Sequence, residues 1–150
     1  MPQSALTLLQ EDHDKMKKIM SDIDSTTERG LKTREELFTT MKEALNVHER
    51  VEEEIFYPAL REHKKAKEIV MEGYEEHRAV DMLLGELESV PFDDESWSAK
   101  FTVIKENIEH HIKEEENEMF DKARQIFDRA ELQELGGAMA ARKEKAQATY

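Results

Sequence analysis

The stretch HERVEEEIFY at residues 48–57 returns in outline as HIKEEENEMF at residues 111–120. Each copy reads histidine, three residues, two glutamates, two residues and then two bulky apolar side chains. Because residues four apart share one face of an α-helix, each histidine points the same way as the first glutamate after it. The repeat predicts two helices that direct matching pairs, His48 with Glu52 and His111 with Glu115, into one interior.

Apolar residues recur at helical spacing on both sides of these stretches, through most of the chain. The spacing predicts four long helices, of which the first fades by 26–30, the second covers about 33–59, the third about 66–89 and the fourth starts near 96. The residues expected to start or bend them are Ser4, the pair Thr33 and Glu36, Pro58, and Asp94 or Ser96.

Four helices with short connections favour an all-α fold, an up-down-up-down four-helix bundle at about 4–127. Asp128 and Glu131 have the spacing of a capping box and predict a short fifth helix at about 128–147, weakened by Gly136 and Gly137. We expect one domain over 1–150, and we expect the fifth helix to contribute no residue to the functional site. With 5 glycines and 3 prolines, the chain lacks the turn residues of an all-β fold.

The composition excludes several classes of function. The net charge of −13, from 35 acidic and 22 basic residues, disfavours nucleic acid and anionic membranes as partners, although solubility alone could explain it. The absence of cysteine excludes disulfides, iron–sulfur clusters and thiolate zinc sites. Neither a secretory leader nor a membrane span is visible, so we expect a cytoplasmic protein that is a monomer or a weak homodimer.

One histidine falls near the middle of each long helix, and in an antiparallel bundle four such residues meet in one layer. They are His13, His48, His77 and His111. Burying them with Glu52 and Glu115 is costly unless a cation compensates the carboxylates. Two glutamates can bridge two metal ions, and imidazole with carboxylate but no thiolate suits iron or manganese.

These motifs, in this order, resemble the hemerythrin-like, or HHE cation-binding, family. The resemblance covers about 6–120 and includes Glu76 before His77 and the run Phe56, Tyr57, Pro58. It implies two iron ions with an oxo or hydroxo bridge, and makes manganese the less favoured metal. By the same resemblance the four mid-helix histidines are terminal ligands, and Glu52 and Glu115 bridge the irons.

The chain departs from the oxygen-carrying hemerythrins, which have a histidine where Asp81 follows His77 by four residues and end in His-x4-Asp. With fewer histidines, the site of this chain is expected to be more open than a carrier site and to favour redox chemistry over oxygen carriage. The predicted fifth helix also resembles the extension of mycobacterial hemerythrin-like proteins, which are associated with catalase-like activity. We therefore expect breakdown of hydrogen peroxide, or reaction with dioxygen, and a role in oxidative stress.

Further residues are candidate metal ligands or hydrogen-bond partners of the ligand histidines, namely Glu49, Asp81, Tyr74 and Glu116. For Glu49 an exposed helix charge is an equal alternative, for Glu116 the solvated surface is favoured, and for Tyr74 core packing is favoured. His110 competes with His111 for the ligand position, and the apolar spacing and the repeated motif favour His111. The residues assigned to the solvated surface are His63, Glu53, Glu54 and Glu114.

Two other classes of function remain open from the sequence. The first is a module that binds or senses dioxygen, nitric oxide or iron, or stores iron, without turnover. The second is a metal-free structural bundle in which the histidines are ordinary core residues. A ferritin-like site is disfavoured, because no Glu-x2-His motif occurs in the chain.

Overall fold

The computed structural model describes residues 3–150, so the predicted domain start at residue 1 lies outside the described range. Within that range the chain is helical and contains no strand. Its helices are α1 (Ala5–Asp24), α2 (31–61), α3 (Lys67–Glu88), α4 (97–126) and α5 (Arg129–Gln147), with a short 3₁₀ turn at Lys64–Ala66. The predicted all-α bundle with a fifth helix is confirmed, although at 19 residues α5 nearly matches the 20 of α1 and is not short.

Of the four predicted helix starts, two have the predicted side-chain cap. At a third, α4 begins after Ser96, but the Ser96 side chain makes no capping hydrogen bond. The Ser4 side chain accepts a hydrogen bond from the backbone N–H of Leu6, and Asp128 with Glu131 forms a full capping box. The predicted box at Thr33 is wrong, because α2 begins two residues earlier, at Leu31, after a Gly30 that provides no side-chain cap.

Helices α2 and α4 each contain one π-helical turn, at Glu52–Phe56 and at Glu115–Met119. Each turn begins at the first glutamate of the repeated motif. The irregular turn of α2 precedes Pro58, and α4 has the same turn without a proline. In a regular helix the fifth residue after a glutamate points about 140° away from it. A π turn brings the two onto one side, and this decides which aromatic residue reaches the interior.

The core consists of two apolar clusters separated by a polar layer. The first cluster contains Leu9, Phe56 and Phe120 among others, and the second contains Met41, Trp97 and Phe101 among others. All four bundle helices pass from one cluster to the other near their mid-helix histidine. The bundle therefore closes the polar layer from both ends with packed apolar side chains.

Arg34 connects the loop between α1 and α2 with the loop between α3 and α4, at the end of the second cluster. Its guanidinium is buried, donates to the backbone oxygens of Phe92 (2.7 Å) and Thr26 (3.1 Å) and to Ser98 Oγ (3.2 Å), and lies over the ring of Trp97. Hydrogen bonds to these oxygens and the π-face of Trp97 together replace water around the charge.

Helix α5 packs against α1 and α2, and Gly136 makes that approach possible. A Cβ atom on Gly136 would overlap the backbone oxygen of Gln3 and lie 2.7 Å from the backbone nitrogen of Ala5. The glycine expected to weaken α5 thus allows it to dock. No helix within residues 3–150 has both the length and the apolar character that crossing a bilayer requires.

We predict that Gly136→Ala lowers the free energy of unfolding by about 2 kcal/mol, because backbone atoms rather than flexible side chains oppose the new methyl group. The matched control is Gly85→Ala, where a Cβ meets no atom within 4 Å and helix propensity should raise stability by up to about 1 kcal/mol. Urea unfolding of both variants measures the difference, and equal effects at the two positions would contradict the proposed close approach.

Candidate metal centre

The four mid-helix histidines are buried in one layer, and each has a carboxylate on its Nδ1 atom. The pairs are His13 with Glu116 (2.7 Å), His48 with Asp12 (3.1 Å), His77 with Glu53 (2.8 Å) and His111 with Glu76 (2.7 Å). A carboxylate that accepts from Nδ1–H leaves Nε2 as the free lone pair of the ring. The arrangement thus prepares four Nε2 atoms as metal ligands.

The Nε2 atoms meet Glu52 and Glu115, which lie between them. Distances from Nε2 to the nearest glutamate oxygen are 3.0 Å for His13 (Glu115), 3.2 Å for His48 (Glu52), 3.0 Å for His77 (Glu52) and 3.3 Å for His111 (Glu115). The potential ligand atoms of this layer form two compact buried groups, His13, His48, Glu52 and Glu115 in one and Glu52, His77 and His111 in the other. A third group, Glu76, His110 and Glu114, is partly exposed and lies outside the layer. Because Glu52 belongs to both groups and Glu115 also reaches His111, the geometry fits two adjacent cations that share carboxylates.

Two polar atoms of this layer lack any hydrogen-bond partner although they are fully buried. They are His48 Nε2 and Glu52 Oε2. The 3.2 Å approach of His48 Nε2 to Glu52 does not have the angles of a hydrogen bond. Since unpaired buried polar atoms are costly, their presence on the two residues that face the same centre fits a metal ion as the missing partner.

The shifted pKa values show how strongly these groups interact. Burial opposes the charged imidazole, yet nearby carboxylates hold the pKa values of His48 and His111 well above their usual range. Hydrogen bonds to Glu52 and Glu53 likewise outweigh burial and raise the pKa of His77 to about 9. Burial raises the pKa of Glu52, but the charge of His48 outweighs it and holds that pKa well below normal. Protons on the imidazoles thus compensate the negative charge of the buried carboxylates, and metal ions would displace those protons on binding.

The carboxylates on Nδ1 were only partly predicted from the sequence. Glu116 was a candidate partner, whereas Glu53 was assigned to the solvated surface, which is wrong because its carboxylate holds His77. Each supporting carboxylate is adjacent in sequence to a predicted ligand but serves a histidine on another helix. For example, Asp12 precedes His13 and binds His48, and the only sequence signal was this adjacency.

The tyrosine that reaches the centre is Tyr57, not the candidate Tyr74. Tyr57 Oη donates to Glu115 Oε2 at 2.9 Å and lies 3.3 Å from His77 Nε2. Burial, reinforced by the carboxylates, raises the pKa of Tyr57 well above its usual range, so the hydroxyl keeps its proton. Gly73 leaves room for it, since a Cβ there would lie 2.9 Å from Oη. Tyr74 donates instead to the backbone oxygen of Glu53.

The remaining candidates lie at the edge of the layer. Glu49 is buried with one oxygen unpartnered, and burial together with the neighbouring Asp81 carboxylate raises its pKa to about 9. Asp81 is exposed. His110 is exposed beside Glu114, and His63 is exposed and packs against a phenylalanine outside the centre.

Helix α5 also connects to the centre, contrary to the expectation that it lies outside the chemistry. Lys143 Nζ donates to Asp12 Oδ1 at 2.6 Å, and the other oxygen of Asp12 holds His48 Nδ1. The lysine charge and the His48 hydrogen bond outweigh burial and lower the pKa of Asp12. The docking of α5 therefore helps to fix one of the four imidazoles.

The fold and the centre define a helical bundle that gathers histidine and carboxylate side chains able to hold metal ions. Residues 4–123 match the family described as Hemerythrin HHE cation binding domain. The chain belongs to this family.

Similar proteins are found among mycobacteria. The Mycobacterium tuberculosis protein Rv2633c and a Mycobacterium bovis protein, both described as uncharacterized, are each 33% identical to the chain over 110 residues. The matches cover 73% of this chain and 66% of each relative, so the chain spans just under two thirds of their length. A crystal structure of an HHE domain protein from Mycobacterium kansasii, described as an Rv2633c homolog, superposes with a TM-score of 0.87 at 29% identity, covering 98% of this chain and 89% of that one.

We predict that Glu53→Ala weakens metal binding by about 10- to 100-fold, because His77 then loses the carboxylate that fixes its ring. The control is Glu54→Ala. It removes the neighbouring carboxylate, which contacts Arg142 on α5. Competition with a coloured chelator measures both affinities. A loss of equal size in the two variants would show that the effect is one of general charge rather than of ring orientation.

Proposed function

We propose that this chain holds two iron ions and breaks down hydrogen peroxide in a catalase-like reaction that protects the cytoplasm against oxidative stress. The observation that carries the proposal is the pair of buried ligand groups that share Glu52 and lie within reach of Glu115. A single structural metal would need only one such group, whereas peroxide disproportionation requires a site that exchanges two electrons.

The ligand set is divided between the two ions by the geometry of the groups. His13 and His48 would hold one ion, His77 and His111 would hold the other, and Glu52 and Glu115 would contact both. Nitrogen and oxygen ligands without thiolate suit iron, with manganese as the less favoured metal. When bound, two irons supply the two-electron redox change in 2 H₂O₂ → 2 H₂O + O₂.

The protein contributes orientation, protons and a dry environment. The carboxylates on Nδ1 hold the imidazoles in one tautomer, and the two apolar clusters exclude bulk water from the layer. Tyr57 Oη carries a retained proton within 3.5 Å of ligand atoms on three helices. Its position suits proton donation during cleavage of the O–O bond.

A cavity bordered by Glu49 connects the layer to the surface, which favours access of a small reactant over sealed oxygen carriage. At the position where oxygen-carrying hemerythrins have a further histidine, Asp81 is exposed and does not close the layer. The His77 side therefore has fewer histidine ligands than a carrier site. Hydrogen peroxide is the small-molecule partner that we assign to this opening.

The experiment is elemental analysis of the purified protein followed by oxygen-electrode measurements after addition of hydrogen peroxide. We expect two irons per chain and oxygen release. In His77→Ala we expect loss of the ion on that side and at least about tenfold slower oxygen release, since that side would lose one of its histidine ligands. The control His63→Ala removes an exposed histidine and should change neither value. Two irons without oxygen release would replace the proposal with a binding, sensing or storage role, and absence of metal after reconstitution would refute it.

A separate prediction concerns the buried phenol. Tyr57→Phe should retain both irons but lower the rate of oxygen release by about 10²-fold, because it removes only the proton donor. The control is Tyr74→Phe, whose hydroxyl contacts a backbone oxygen and should have little effect. If both variants turn over at the wild-type rate with full iron content, Tyr57 has no role in proton transfer.

A further inference from the structure

A cavity of about 370 Å³ leads from the surface to the histidine layer. The four mid-helix histidines form its inner end. Its walls are mainly the apolar residues Met16, Leu45, Val80, Ile108 and Ile112, which come from all four bundle helices. The buried side chain of Glu49 is a polar exception in this lining. Its mouth includes Lys15, Thr40 and Glu43 on the bundle and Lys143 and Gln147 on α5. The mouth is thus shared between the bundle and the fifth helix.

The cavity is far larger than hydrogen peroxide requires. One water molecule occupies about 30 Å³ of liquid, and hydrogen peroxide has only one more oxygen atom. Two ions with the atoms they bind would fill part of the inner end, and most of the 370 Å³ would remain. This volume lies within the range of sites that hold organic molecules, about 300–1,000 Å³.

The walls favour a reactant that has an apolar part over one that is wholly polar. Met16, Val80 and Ile108 offer no hydrogen bonds, so these surfaces contribute nothing to the solvation of a polar reactant. A reactant with an apolar part gains by burying it there. Polar ligand atoms are concentrated at the inner end, which suits a molecule with a reactive polar head and an apolar body.

The charged side chains at the mouth balance one another. Lys143 is paired with Asp12, and Lys15 and Glu43 contribute one charge of each sign. The mouth therefore carries no net charge from these four side chains. A neutral ligand fits this surface better than a carboxylate or an ammonium compound.

We propose that the cavity admits uncharged organic hydroperoxides, with the peroxide group at the histidines and the organic group against the walls. This inference rests on the proposed peroxide chemistry and widens its substrate class. The balanced reaction is ROOH + H₂O₂ → ROH + H₂O + O₂. The O–O bond of ROOH breaks and takes up two electrons and two protons, both supplied by hydrogen peroxide as it is oxidised to dioxygen.

The test uses the iron-loaded, full-length protein with cumene hydroperoxide and hydrogen peroxide, and chromatography of the product alcohol. We expect formation of 2-phenyl-2-propanol that depends on the protein and on hydrogen peroxide. Saturation-transfer NMR with 2-phenyl-2-propanol as a non-reacting probe gives a second readout that does not depend on turnover. We expect transfer from the protein to the phenyl protons of the probe.

The variant is Val80→Phe, which places a ring in the cavity wall. It should lower the ratio of cumene hydroperoxide to hydrogen peroxide turnover by about tenfold or more and abolish the NMR transfer. The control Val103→Phe adds the same ring at a position on α4 that is 48% exposed and should leave the ratio unchanged. Thermal melting tests whether both variants fold. If one of them does not fold, the wild-type measurements still test the proposal.

The outcomes separate the two proposals. Turnover of hydrogen peroxide without alcohol formation or probe binding would overturn the organic substrate and leave the proposed function intact. Failure to consume either peroxide with two irons bound would overturn both. Alcohol formation that is equally fast in Val80→Phe and in wild type would show that the reaction does not use this cavity, and would also overturn the inference.

Discussion

The structure depends on burying four imidazoles and two carboxylates in a single layer of a helical bundle. No apolar packing compensates for such a layer, because each polar atom needs a partner of its own. Two sets of carboxylates provide these partners. Glutamates lie between the inner imidazole nitrogens, Nε2, and a second set of carboxylates accepts hydrogen bonds from the outer nitrogens, Nδ1. Among the buried atoms left without a partner, His48 Nε2 and Glu52 Oε2 are those that bound metal would satisfy.

The carboxylates on the outer nitrogens also account for the mutual arrangement of the helices. Asp12 on α1 holds a histidine of α2, Glu53 on α2 holds one of α3, Glu76 on α3 holds one of α4, and Glu116 on α4 holds one of α1. The four contacts form a closed ring around the bundle. Each helix is therefore fixed by its neighbours at the height of the centre, between two apolar clusters that exclude water. Such a ring keeps the ligands pre-organised for metal.

The two halves of the layer differ in ways that matter for chemistry. The π turns place Tyr57 beside Glu52 and Phe120 beside Glu115, and these rings stack on His77 and His13 respectively. One half thus has a hydroxyl that keeps its proton, and the other has an apolar ring. The fifth helix adds a further asymmetry, since Lys143 supports only the His48 side and borders the mouth of the cavity.

The sequence by itself determined the helices, their order and the convergence of six side chains. The spacing of His48 with Glu52 is local, and mid-helix position is enough to bring antiparallel partners to one height. Only the tertiary structure decided that Tyr57 rather than Tyr74 reaches the centre, because a π turn changes which face the fifth residue occupies. It also decided which carboxylate serves which imidazole, and that α5 reaches the centre through Lys143. Those contacts join different helices, and the rotation and spacing of the helices depend on packing that no single segment specifies.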